Sequence, residues 1–131
     1  MKAIYTPDAP ETVGPYSQAI VSGGMLYTSG QIPLDPATGT IVEGGIEEQA
    51  ARVMENLGAV LRAGGSDFRH AVKVNCYLSD MSLFSDFNAV YARYFTTKPA
   101  RSCVAVKELP KGALVEVEVI AETVKGNVVK L

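Results

Sequence analysis

Apolar positions along this chain change period several times, and each change marks an element. From residue 46 to 63 they return at helical spacing, with Ala50, Val53, Met54, Leu57, Val60 and Leu61 on one stripe. Glu47 and Glu48 suit the positive N-terminal end of such a helix, and Gly64-Gly65 supplies its stop. From 71 to 78 the period is two. Val72, Val74, Cys76 and Leu78 alternate with Lys73, Asn75 and Tyr77, which predicts a strand. Phe84, Phe87, Val90, Tyr91, Tyr94 and Phe95 form a second helical stripe, so a helix is expected over about 83–95 with Ser82 as its N-cap. Strand-like runs occupy 16–22 and 25–29, with Gly23-Gly24 between them as a two-residue hairpin turn. The stretch QIPLDPATGTIVEGG that follows reads as a long irregular loop. Strands over 101–107 and 114–123, joined by ELPKGA, complete the pattern. The order β-β-α-β-α-β-β, with a short further strand at the N-terminus, predicts a two-layer α+β fold, a mixed sheet with two helices on one face.

That arrangement leaves the other face of the sheet to be accounted for. In the last strand Val115, Val117, Val119 and Ala121 share one side, while Glu116, Glu118, Ile120 and Glu122 share the other. In the strand before it, Ser102, Val104 and Val106 alternate with Cys103 and Ala105, so neither side is strongly polar. The expectation is a subunit interface over the open face.

Composition narrows the function classes. A length of 131 residues suits one domain over 1–131, and 47% hydrophobic residues argue against disorder. No apolar run approaches the roughly 18 residues of a membrane span, and MKAIYTPDAPE lacks the apolar core of a secretory signal. The expectation is a soluble cytoplasmic protein. The net charge is −2 and no Lys/Arg cluster occurs, so nucleic acid gains no electrostatic help from the whole chain. Cys76 and Cys103 are the only cysteines and His70 the only histidine, too few for a disulfide framework or a four-ligand zinc set. Metal-free chemistry without a cofactor is expected.

Four polar features stand out against the apolar pattern. Arg101 opens a strand that is otherwise apolar, in KPARSCVAV. Its planar fork matches a carboxylate, so its partner is either Glu116 or Glu118 in a structural ion pair, or a small anionic ligand. Glu116 suits a general base if its strand lies beside that of Arg101, and otherwise is a solvated carboxylate. Cys103 suits a nucleophile only with a base or an electropositive setting, and otherwise is a small buried hydrophobe. Tyr16, Ser29 and Gly30 sit at the ends of the first two strands, where Gly30 lets a ligand approach backbone N–H groups.

Taken together, GPYSQAI (14–20), YTSGQIP (27–33), NAVYARYF (88–95), KPARSCVAV (98–106), LPKG (109–112) and LVEVEVIA (114–121) resemble the Rid family, once called the YjgF family, and within it the RidA branch. The resemblance implies a fold like the small homotrimeric chorismate mutase. Three sheets pack around a central barrel with the helices outside and three clefts between neighbouring subunits. It also implies hydrolysis of 2-imino acids, such as 2-iminobutanoate and 2-iminopropanoate, to 2-keto acids and ammonia. These imines arise from enamines released by pyridoxal-phosphate dehydratases. By motif, Arg101 would clamp the substrate carboxylate and Glu116 would orient or deprotonate the attacking water. Backbone groups of Gly30 and Cys103 would contact the imine end, and Tyr16, Ser29 and Asn88 would line the cleft. Two alternatives remain, a trimer that binds a small metabolite without turnover and an RNA-directed role.

Overall fold

The computed structural model describes residues 1–124. In chain order the elements are β1 (Lys2–Ile4), β2 (Ala19–Ser22), β3 (Met25–Thr28), α1 (Ile46–Ala63), β4 (Ala71–Leu78), α2 (Phe84–Tyr94), β5 (Ala100–Ala105) and β6 (Val115–Glu122). Helix α1 and strand β4 take the bounds their periodicities predict. Every member of the α1 stripe is buried. Glu48 turns back to accept from the Gly45 N–H at 2.8 Å, and Gly65 sits at φ 82 just past the helix end. The Gly23-Gly24 turn has φ of 59 and 79, the left-handed pair a tight hairpin needs.

Helix α2 starts differently from its prediction. Ser82 lies inside a single 3₁₀ turn, Met81–Leu83, and its N–H donates to the Asp80 carboxylate at 2.8 Å. Asp80 thus does the capping expected of Ser82, because the 3₁₀ turn places its side chain ahead of the first free amides. Strand β2 is also shorter than its apolar run. Gln18 is buried and spends its amide on the N-terminal segment, with Thr6 N–H donating to Oε1 at 2.7 Å and Nε2 donating to the Thr6 and Pro10 carbonyls. Residues 15–17 therefore form the loop beside that segment and pair with nothing regular.

The strands lie in the order β1-β2-β3-β6-β4-β5. Among the described strands only β4 and β5 are parallel; they are joined through α2, as a parallel crossover requires. Strand β6 enters the middle, antiparallel to both β3 and β4. Its row of Val115, Val117, Val119 and Ala121 is almost wholly buried against the helices. That answers one expectation with a correction: the strand of Glu116 does not lie beside the strand of Arg101, since β4 separates them. A strand with a fully apolar row gains most at the sheet centre, whereas β5, with its arginine and serine, takes the edge. One member of the β4 row also departs. The β4–β6 register slips between Ala71 and Lys73, and Val72 is turned out of the core at 43% exposure.

Both helices cover one face, as predicted. The opposite face carries Tyr27 and Val104, each nearly half exposed, beside Ile120, Asn75, Tyr77, Glu116 and Glu118.

Candidate functional site

Strand pairing brings Gly30 to Glu116. Tyr27 lies opposite Ile120 and Gln31 opposite Val117, so four steps along one strand run against three along the other. One residue is extra, and the segment Thr28–Gly30 bulges. Thr28 Oγ1 fills the gap by accepting from the Val119 N–H at 2.9 Å. Gly30 then lies directly against the Glu116 side chain. A Cβ there would overlap the carboxylate, with Cδ only 2.8 Å away. The Gly30 N–H has no acceptor among the described residues. Ser29 is fixed by its hydroxyl, which donates to the Ser17 carbonyl at 2.6 Å.

These residues surround a cavity of about 400 Å³ that also holds Tyr16, Thr12 and Lys111. Glu116 is half-buried on its wall. Burial pushes its carboxyl above the usual carboxylate range, and the nearby Glu118 carboxylate adds to the shift. Glu118 itself is tied down by Asn75 Nδ2 at 3.0 Å and the Tyr77 hydroxyl at 3.3 Å. The Glu116 side chain has no such hydrogen-bond partner among the described residues.

Arg101 belongs to a second cavity, of about 340 Å³, with Asn88, Tyr91, Lys98 and Pro99. Its Nη1 donates to Asn88 Oδ1 at 2.6 Å. Its guanidinium lies over the Tyr91 ring, 4.7 Å from the centroid, and 5.6 Å from that of Phe84. No carboxylate stands within ion-pair distance of it among the described residues. Of the two alternatives for Arg101, the ion pair with Glu116 or Glu118 is absent because those side chains point the other way. Arg101 is registered with Val74, whose side chain faces the helices, while Glu116 alternates out of the buried β6 row. The two residues thus stand on opposite faces of one sheet.

Cys103 is registered with Cys76 and shares its face. Burial pushes the Cys76 thiol up to about 12. Burial also raises Cys103 despite the opposing pull of Arg101. Both sulfurs therefore hold their protons at neutral pH, which speaks against a nucleophilic Cys103. His70 is occupied elsewhere, with Nδ1 2.7 Å from Asp67 Oδ1. No three His, Cys, Asp or Glu side chains cluster among the described residues. No helix among them is long and apolar enough to cross a membrane.

Of the candidate residues, Tyr16, Ser29, Gly30 and Glu116 come together, Arg101 and Asn88 come together, and Cys103 follows Arg101 on its face. Sequence reasoning missed Lys111 and the aromatic bed under Arg101. Tyr91 lies three residues beyond Asn88, a spacing that signals a shared helix face, but its place in the apolar stripe marked it only as core.

A profile of the family described as endoribonuclease L-PSP matches residues 6–123. A RutC family protein of Pyrococcus horikoshii is 50% identical over 92% of this chain and 96% of its own length. The 2-iminobutanoate/2-iminopropanoate deaminase of Bos taurus is 46% identical over 92% of this chain and 88% of its own. Among solved structures, YyfA of Yersinia pestis, described as a Rid family protein of unknown function, superposes with a TM-score of 0.90. It is 48% identical and covers 93% of this chain and 98% of its own.

Proposed function

The chain belongs to the endoribonuclease L-PSP, or Rid, family, and on that premise we propose that it hydrolyses 2-imino acids to 2-keto acids and ammonia. The proposal places the reaction in clefts between the subunits of a homotrimer. The observation that carries this reading is the division of the site. Arg101 is a cation without a carboxylate partner among the described residues, and Glu116 is a carboxylate of raised proton affinity on the opposite face. A small substrate meets both only when one chain presents its Arg101 and a neighbour its Glu116. The uncovered sheet face, with Tyr27 and Val104 exposed, supplies the surface for such a neighbour.

In that cleft Arg101 binds the substrate carboxylate through its free N–H groups and fixes the molecule. Glu116 draws a proton from water as the water attacks C2, forming a tetrahedral carbinolamine. The C=N π pair moves to nitrogen, which takes that proton back from Glu116. Glu116 then removes the C2 hydroxyl proton and passes it to nitrogen, so that the C–N bond breaks, the keto group forms and ammonia leaves. A raised pKa makes Glu116 a stronger base near neutrality. The free N–H of Gly30 and the backbone of Cys103 face the reacting end, and Tyr16, Ser29 and Asn88 line the walls. The bovine relative's name supports the substrate class. The family description points instead to RNA, but a net charge of −2 offers a phosphate backbone no long-range attraction, which favours the small molecule.

The test generates 2-iminobutanoate from threonine with a dehydratase and follows its trapping by semicarbazide. The wild-type chain should lower trapping, and Arg101→Ala should lose at least about tenfold of that effect, the size of a charged hydrogen-bond pair. No effect of the wild type, or an undiminished effect of Arg101→Ala, overturns the proposal.

A further inference from the structure

Arginines that open a buried edge are usually oriented by a carboxylate. Arg101 is oriented by α2 instead. Phe84, Asn88 and Tyr91 stand three and four residues apart on that helix, so they share one face, and all three meet the guanidinium. A carboxylate in their place would neutralise the guanidinium and compete with an anionic ligand. An aromatic face holds the plane of the group while leaving its charge and its remaining N–H groups available.

Tyr91 is the rigid part of this bed. It is only 9% exposed, stacks on Phe95 at 4.6 Å between centroids, and packs against Phe87 at 5.8 Å. Its hydroxyl is buried without a hydrogen-bond partner among the described residues, so no polar contact explains why a tyrosine sits there. What the residue offers Arg101 is its ring.

We propose that Tyr91 is a positioning residue, whose ring fixes the plane of the Arg101 guanidinium so that its outer edge is presented to the carboxylate of the ligand. This rests on the assignment of Arg101 to a ligand carboxylate made above.

Calorimetric titration with 2-oxobutanoate tests it, because that keto acid keeps the carboxylate and undergoes no hydrolysis. Tyr91→Phe keeps the ring and should bind within about twofold of the wild type. Tyr91→Leu removes the ring and should raise Kd about tenfold, the middle of the cation–π range. Leu61→Ala, a core loss on α1 away from Arg101 and its bed, should lower the melting temperature without raising Kd. If Tyr91→Leu does not fold, Phe84→Leu at the half-buried edge of the bed carries the test, with a rise of about threefold expected. Unchanged binding by Tyr91→Leu overturns the inference, as does unchanged binding by Phe84→Leu when it stands in. So does a loss in Tyr91→Phe as large as in Tyr91→Leu, or an equal loss in Leu61→Ala. A wild type that binds 2-oxobutanoate but does not lower semicarbazide trapping sinks the deaminase reading and leaves this inference standing. A wild type that does not bind the keto acid removes the ligand role of Arg101 and overturns the inference with it.

Discussion

In the proposed reaction Glu116 is asked to do two incompatible things, and pH separates them. As a base it must be ionised, so turnover should rise with pH through a limb set by its own pKa, which lies above the ordinary glutamate range. As a half-buried group beside Glu118 it resists ionisation. The folded chain holds this proton more tightly than the unfolded chain does. Stability from this residue is therefore complete below the unfolded pKa and is lost as pH rises through the raised folded pKa. Glu116→Gln should remove both effects. Turnover should fall about a hundredfold with little change in KM, while denaturant melts at neutral pH should show equal or greater stability than the wild type. A variant that melts earlier at neutral pH contradicts the strain argued for this carboxylate. At this scale the sequence was informative where chemistry breaks a pattern. An arginine in an apolar strand and a glutamate flanked by valines both announce themselves. Tyr91 and Phe84 do not, because the same stripe that buries a helix also builds the bed for Arg101.

Among elements, the bulge at Thr28–Gly30 is the one that makes the site. It carries Gly30 against Glu116, and no other residue leaves that space. Gly30→Ala should push the flexible carboxylate aside and lower turnover by about tenfold or more, with the melting temperature unchanged or slightly raised. Steady-state kinetics beside a thermal melt checks both halves, and a kinetically silent substitution would detach Glu116 from the reaction. Elements whose causes are local were legible. Helix α1 has its period and its acidic first turn within its own 18 residues and its stop in the two glycines that follow them. The hairpin has Gly23-Gly24, and β4 has its alternation. Features with distant causes were not. The start of β2 depends on the Gln18 amide reaching Thr6 and Pro10. Likewise the loop after β3 is pinned by buried Asn56, whose amide donates to the Leu34 carbonyl at 2.9 Å. The central place of β6 is a competition among strands for burial, which no single strand records.

For the whole molecule, the decisive fact is that Arg101 and Glu116 face opposite sides of one sheet. Two impaired variants should then repair each other. Arg101→Ala and Glu116→Gln, unfolded together in equal amounts and refolded, should regain about a quarter of wild-type trapping activity, because random assortment in a ring gives one cleft in four an intact pair. Separately refolded and unexchanged samples should regain none, and failure of the mixture would place both residues in one chain's cleft. The same geometry has a kinetic consequence. If catalysis needs two chains, rate per milligram is no longer a constant of the protein. In the proposed trimer it should hold steady while the assembly persists and fall away on dilution below its dissociation constant, then recover when the sample is concentrated. A substrate ligand spanning two chains would shift that threshold downward, so the enzyme would be most firmly assembled when there is imine to remove.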